Sequence, residues 1–176
     1  MKKIGPKLIE LPIDSNAPYQ LRQTVRSITL DRHGKVLLLY SKKYDDYTFP
    51  GGGIKPNESH LDALKRELKE ELGAQIQSDI TPYGFTEELK YGIGEVKDVF
   101  LQISYYYKVE LKIAMPPHLN AREITQKLIA DYVDIQSAID HNHIAIHNIL
   151  HQEKGLKTVL LRENMVLKDL KENHIT

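Results

Sequence analysis

The stretch GGIKPNESHLDALKRELKEELGA, residues 52–74, restricts the fold of this chain more than any other. It is a glycine-rich turn that runs into a helix bearing a cluster of carboxylates. Gly51, Gly52 and Gly53 permit backbone conformations closed to other residues and let a ligand approach the main chain. Pro56 and Asn57 continue the turn, Ser59 with Asp62 resembles a helix-opening capping box, and Gly73 supplies a left-handed stop. Between them Leu61, Leu64, Leu68 and Leu72 recur at helical spacing and define a buried stripe.

Glu67, Glu70 and Glu71 stand at i, i+3 and i+4, which predicts all three on one face at the edge of that stripe. Like charges so placed repel. The cost is about 0.2–0.5 kcal/mol per exposed pair, but several kcal/mol at about 4 Å in a cleft with an effective dielectric near 20. A divalent cation removes that cost, and hard carboxylate oxygens open to water suit Mg²⁺ or Mn²⁺. An acidic helix by itself is usually a solvated face. Here the acids stand at fixed distances from a glycine turn.

Gly52, Glu58, Arg66, Glu67, Leu68, Glu70, Glu71 and Gly73 fit the pattern G-x5-E-x7-R-E-U-x-E-E-x-G-U, with U a bulky aliphatic, and the stretch resembles the Nudix box. The one departure is Ala74, small where the family usually has Ile, Leu or Val, which touches packing behind the helix and not the acids. The run RQTVRSITLDRHGKVLLLYSKKYDDYTFPGGGI is similar to the usual approach to the box, so the resemblance covers at least residues 22–74. It implies an α/β fold, a mixed curved β-sheet sandwiched between helices. It implies a metal-dependent pyrophosphohydrolase of nucleoside diphosphates linked to another moiety, with water attacking phosphorus.

By the same resemblance Glu67, Glu70 and Glu71 are metal ligands, one of them acting instead as the base, and the main chain of Gly51 or Gly52 completes the shell. Arg66 orients a glutamate through a bidentate pair. Glu58 either supports the loop or a second metal, or is an acid stabilised by the helix dipole. Family members often add an acid from a later loop; Glu123 is the first choice, with Glu87, Glu88 and Glu95 as rivals. Arg22, Arg26, Lys42, Lys43 and Lys90 are candidate phosphate contacts. Tyr47, Phe49 and the Tyr105-Tyr106-Tyr107 run are candidates to stack on a base, although alternation along a strand lets only part of that run face a site. Tyr91, about 17 positions past the box, is similar to a tyrosine of dinucleoside polyphosphate hydrolases. The substrate contacts carried forward are Arg26, Lys42, Phe49, Glu58 and Tyr91. The Trp of a motif in NADH-type members and the proline that marks many ADP-ribose hydrolases are both absent.

With 176 residues the chain suits a single domain: a lead-in over 1–20, the catalytic body, and C-terminal helices over 134–176. Lys plus Arg and Asp plus Glu each number 24, so no electrostatic grip on nucleic acid or a membrane surface is expected. No apolar run approaches 18 residues, and the basic start lacks an apolar signal core, so no membrane span or signal peptide is expected. The absence of cysteine fits a cytoplasmic protein. Strands are expected at Lys7–Leu11, Thr24–Leu30, Lys35–Tyr40, Ala74–Gln77, Ile80–Glu88, Val99–Leu111 and Leu128–Val133, the second and third paired as a hairpin through Asp31–Gly34. Ser41–Tyr47 and Lys90–Lys97 read as loops, and helices are expected at Ile135–His141, 144–153 and 157–172. His143, His147 and His151 share a face if their helix is continuous, a spacing that can hold a soft metal, but structural roles are favoured.

The rival reading is a Nudix-fold nucleotide sensor without turnover, which would be expected to lose box carboxylates; this chain keeps them all. An isopentenyl diphosphate isomerase of the same fold would rely on a cysteine, and none is present. Homodimers are common in the family, and the expected partner is a small-molecule nucleoside diphosphate derivative.

Overall fold

The computed structural model describes residues 1–93, 98–113 and 115–173. In chain order the elements are β1 (Lys2–Lys3), β2 (Leu8–Ile9), β3 (Gln20–Ile28), β4 (Val36–Ser41), β5 (Asp46–Thr48), β6 (Gly51–Gly53), α1 (His60–Leu72), β7 (Ala74–Ile76), β8 (Thr81–Tyr91), β9 (Val99–Lys108), β10 (Leu111–Ile113), α2 (Ala121–Gln126), β11 (Leu128–Val133), α3 (Ile135–Ala145) and α4 (Val159–Asn173), with a 3₁₀ turn at Ile149–Gln152.

The main sheet has the order β1-β8-β9-β3-β6, with β2 also on β8. It is mixed: β3 runs parallel to β9, while β8–β9 and β3–β6 are antiparallel. A second sheet has the order β11-β4-β5, and β7 and β10 form a short ribbon. Side chains alternate along a strand, and the cores follow that parity. Val25, Leu37 and Leu39 pack with Ala63, Leu64 and Leu68 of α1. Ile28, Val36 and Leu38 pack with Ile135, Ala138 and Ile139 of α3 and Val166, Leu167 and Leu170 of α4. Helices therefore cover both faces, which is why Val36–Leu39 is apolar at every position rather than at alternate ones.

Several expectations are revised. Only one bridge, Leu30 with Val36, joins the two arms around Asp31–Gly34. β4 instead pairs with β11 along one edge and with β5 along the other. β8 runs on to Tyr91, and the rest of the loop assigned to Lys90–Lys97 lies largely outside the described residues. The helix expected at 144–153 is broken: α3 ends at Ala145 and the 3₁₀ turn follows, capped by the Asn148 side chain accepting from the Leu150 N–H. His143, His147 and His151 therefore share no continuous helix face. α2, capped at both ends, is an element that no hydrophobic period announced.

Candidate active site

The site grows from the cap of α1. Ser59 Oγ accepts from the Asp62 N–H at 3.1 Å, and Gly73 closes the helix at φ 62°. A side chain at Gly73 would run into the Met115 carbonyl oxygen, 1.8 Å from an ideal Cβ. The buried stripe is Ala63, Leu64, Leu68 and Leu72. Leu61, expected in that stripe, is 36% exposed. The helix is turned so that Glu67 and Glu71 go inward beside the leucines, each 8% exposed, while the Glu70 side chain stays 36% accessible at the rim. Gly52 is needed for close approach: a Cβ there would lie 2.5 Å from the Glu67 carboxyl carbon.

Arg66 holds this arrangement in place. Its Nε and Nη2 donate to the two oxygens of Glu58 at 2.8 and 2.9 Å, Nη2 also donates to the Gly53 carbonyl, and Nη1 donates to Glu67 Oε1. The guanidinium hydrogen bonds hold the Glu58 carboxyl down at about 2. Glu71 Oε2 accepts from the Gly51 N–H at 2.7 Å.

α2 then delivers a third acid. Asn120 and Glu123 form a reciprocal capping box, and the Glu123 carboxylate, 8% exposed, comes to Glu67 and Glu71. One oxygen from each of these three residues lies within 4.8 Å of the others. Burial pushes the Glu71 carboxyl up to about 8, with Glu67 and Glu123 adding to the rise and Arg26 and the Gly51 N–H opposing it. Burial also raises Glu123. Three buried carboxylates with so little compensating charge fit a hard divalent cation, since the only alternative is to take up protons.

These groups open onto a cleft of about 290 Å³. Its floor is one face of the main sheet. Register places Arg22 opposite Gln102 and Thr24 opposite Ser104, and Gln102 opposite Glu88. The same face is apolar further along β3, at Ile28. Arg22, Arg26, Lys90, Arg122 and Arg162 all line the cleft. Asp46, Tyr44 and His151 form part of the opposite wall. Burial pushes the Asp46 carboxyl up to about 7 and lowers the pKa of His151, whose Nε2 lies 3.0 Å from the Tyr44 carbonyl and 3.4 Å from Asp46 Oδ2.

Of the residues singled out from the sequence, Gly52, Glu67, Glu71, Glu123, Arg22, Arg26 and Lys90 come together at the cleft, whereas Glu70, expected among the metal ligands, stays at the rim outside the cluster of three acids. Phe49 does not stack on anything there: it is 0% exposed, packed edge-on to Tyr106 in the core, so its contact with a base is withdrawn. Tyr105 and Tyr107 turn toward α1, where Tyr107 Oη bonds His60 Nδ1 at 2.6 Å. Lys42 stands exposed on the loop after β4, outside the cleft lining. Tyr91 carries the Lys154 ammonium over its ring at 4.0 Å and is likewise outside the lining. Glu58 is taken up by Arg66 and the Lys55 N–H. Among the rival acids, Glu87 pairs with Lys3, Glu88 pairs with Arg162, and Glu95 lies outside the described residues. Asp46, Tyr44, Gln102, Arg122 and Arg162 were not singled out from the sequence, and His151 was considered only with His143 and His147. Thr24 also lines the cleft, and a signal for it existed, since it stands at period two between Arg22 and Arg26; for Arg162, deep in an amphipathic helix, none did.

The model of the NUDIX domain matches residues 20–149. The chain therefore belongs to the Nudix family. Nucleoside triphosphatases NudI of Salmonella arizonae and Salmonella newport are 39% identical over 59 residues, 31% of this chain and 42% of theirs. The chain thus spans less than half the length of these relatives. Among solved structures, a NUDIX hydrolase from Nitrosomonas europaea superposes with TM-score 0.55 at 16% identity, covering 88% of this chain and 90% of that one. The MutT protein from Methanosarcina mazei Go1 gives TM-score 0.47 at 13% identity, over 92% and 100% of the two chains. Among the described residues no helix is long and apolar enough to cross a membrane.

Proposed function

We propose that this chain is a metal-dependent pyrophosphohydrolase acting on a nucleoside diphosphate linked to a further group. The observation that carries the reading is the convergence of Glu67, Glu71 and Glu123, brought from two helices into one buried, under-compensated cluster. These three would hold Mg²⁺ or Mn²⁺, which when bound supplies charge neutralisation for the diphosphate and its leaving oxygen. The chain's own residues do the rest. Arg66 clamps Glu67 and Glu58 so that the acidic face keeps one geometry. Gly52, without a Cβ, leaves the space against Glu67 open. Glu70, at the rim, 36% accessible and 3.9 Å from the Arg66 guanidinium, would take the proton of an attacking water molecule. Arg26, held by the Phe49 and Gly51 carbonyls at 3.0 and 2.6 Å, presents its charge to the phosphates beside the acids. Family membership and the nucleoside triphosphatase names of the partial relatives support a nucleotide substrate.

The test is a hydrolysis panel of nucleoside triphosphates, ADP-ribose, diadenosine polyphosphates and NADH, with Mg²⁺ and with Mn²⁺, against a Glu71→Gln control. One preferred substrate, lost in the control, is expected. Silence across the panel with nucleotide binding intact would replace turnover by ligand sensing.

A further inference from the structure

Asp46 and His151 share one wall of the cleft, and both are buried, at 5% and 2% exposed. β5 carries Asp46 opposite Ser41 of β4, and the 3₁₀ turn at Ile149–Gln152 brings His151 beside it. His151 stands past residue 149, where the match to the NUDIX domain ends. Its Nε2 lies 3.0 Å from the Tyr44 carbonyl oxygen. A carbonyl only accepts, so Nε2 carries the hydrogen and Nδ1 keeps a bare lone pair. Burial lowers the His151 pKa, which keeps the ring neutral. Among the described residues the buried Nδ1 has no hydrogen-bond partner. The Asp46 carboxyl is no better served. Its one ion-pair contact among those residues is His151 Nε2 at 3.4 Å, whose hydrogen already goes to Tyr44. No cation offsets its burial: the charges acting on it are Glu163 and Asp45, and both add to the rise to about 7. Buried acceptors without donors destabilise a fold, so two of them side by side in a cleft wall point to a donor that arrives with a ligand. Leu156 and Val159, from the same C-terminal segment, add apolar surface to the cleft.

We propose that Asp46 and His151 receive the exocyclic amino group of the substrate's nucleobase, so that the cleft selects amino bases over keto bases. This rests on the hydrolase reading above and deepens it: the class favoured is a cytosine or adenine nucleotide over its uracil or hypoxanthine counterpart. An amino group carries two hydrogens, one for an Asp46 oxygen and one for His151 Nδ1. A keto oxygen in the same place adds a third acceptor and supplies no hydrogen, which leaves both protein groups unpaired. A flat heterocycle also suits a wall that is apolar at Leu156 and Val159 and polar at one edge. The glutamates are left to the diphosphate.

The probes are the α,β-methylene diphosphates of cytidine, uridine, adenosine and inosine, whose P–C–P links resist hydrolysis. They are titrated calorimetrically into the intact protein with Mg²⁺ at pH 8, above the Asp46 value. In at least one of the pairs cytidine–uridine and adenosine–inosine, the amino member should bind about tenfold or more tightly, the worth of one hydrogen bond to a charged group. Asp46→Asn keeps the shape and offers an amide donor, so the preference should fall below about threefold or reverse. His151→Phe keeps a ring but no acceptor and should reduce the preference about threefold, with the melting temperature measured alongside. Equal binding within both pairs, or no binding of any probe, overturns the subsite. So does a preference that survives Asp46→Asn unchanged. A preference for UDP-glucosamine over UDP-glucose without any amino-base preference also overturns it, in favour of an amine on the linked group. Selective binding by a wild-type protein that hydrolyses no nucleotide would uphold the subsite and remove the hydrolase reading.

Discussion

Two clusters of buried carboxylates lie in this molecule, and they are built on opposite principles. Glu88 and Glu163 are both 0% exposed, and each of their four oxygens has a donor. Arg162 Nη1, Gln102 Nε2 and Thr158 Oγ1 donate to Glu88; Arg162 Nε and Nη2 and the Phe49 N–H donate to Glu163. Burial would raise the Glu88 carboxyl, but Arg162 and then Lys90 outweigh it and hold it below its usual value. Glu67, Glu71 and Glu123 have no such counter-ion at their centre. Arg66 is shared with Glu58, and the Glu71 carboxyl rises to about 8. A cluster with its charge balanced fixes a fold; one with hydrogen bonds but too little positive charge is kept for a ligand.

The comparison can be broken at its strongest point first. Arg162→Met removes the guanidinium that pairs with both buried carboxylates, leaving Glu163 without its ion pair and Glu88 with only the weaker charge of Lys90, and it should cost about 3–5 kcal/mol in urea denaturation. A loss below about 1 kcal/mol would mean that the two clusters do not differ in kind. Glu71→Gln should do the opposite: turnover falls about a hundredfold or more while the metal-free protein becomes more stable, since folding no longer has to bury a carboxyl that must take up a proton. If that variant melts earlier than the wild type without metal, the cluster is structural after all.

The pH dependence sharpens the same contrast. The Glu71 carboxyl titrates near 8 in the folded chain and near 4.5 when exposed. Between those values the folded state holds more protons than the unfolded one, so metal-free stability should fall as pH rises through this window. Mg²⁺ should restore the melting temperature, more at pH 8 than at pH 5. A melting temperature that is flat with pH and insensitive to Mg²⁺ counts against the assignment. The smallest effect is expected at Glu123→Gln, where the carboxylate also caps α2: about tenfold in turnover, with a weaker Mg²⁺ requirement measurable by titration.

Much of this site is legible in the residues. The Ser59 cap, the Gly73 stop and the spacing of Glu67 and Glu71 are short-range features, set by helix geometry alone. Glu123 could be suspected from its place after the long strand, although the helix carrying it could not, because six residues give no period. Phe49 misleads since an aromatic before a glycine turn looks the same whether it faces a ligand or a core; here β5 and β6 turn it under Tyr106. Leu61 fits the helical stripe on paper, yet it is 36% exposed, and it is His60 beside it that packs on Tyr105 and Tyr107 of β9.

By itself the sequence determined the turn, the helix, the acidic face and the family, because each depends on neighbours within a few residues. The tertiary structure alone decided which acids meet, which cations line the cleft and which aromatic residues are buried. Those outcomes follow from register between strands distant in sequence: Arg22 beside Gln102, Gln102 beside Glu88, and Lys90 two residues further along the same face. A shift of one residue in any of those pairings would turn each side chain to the other side of the sheet.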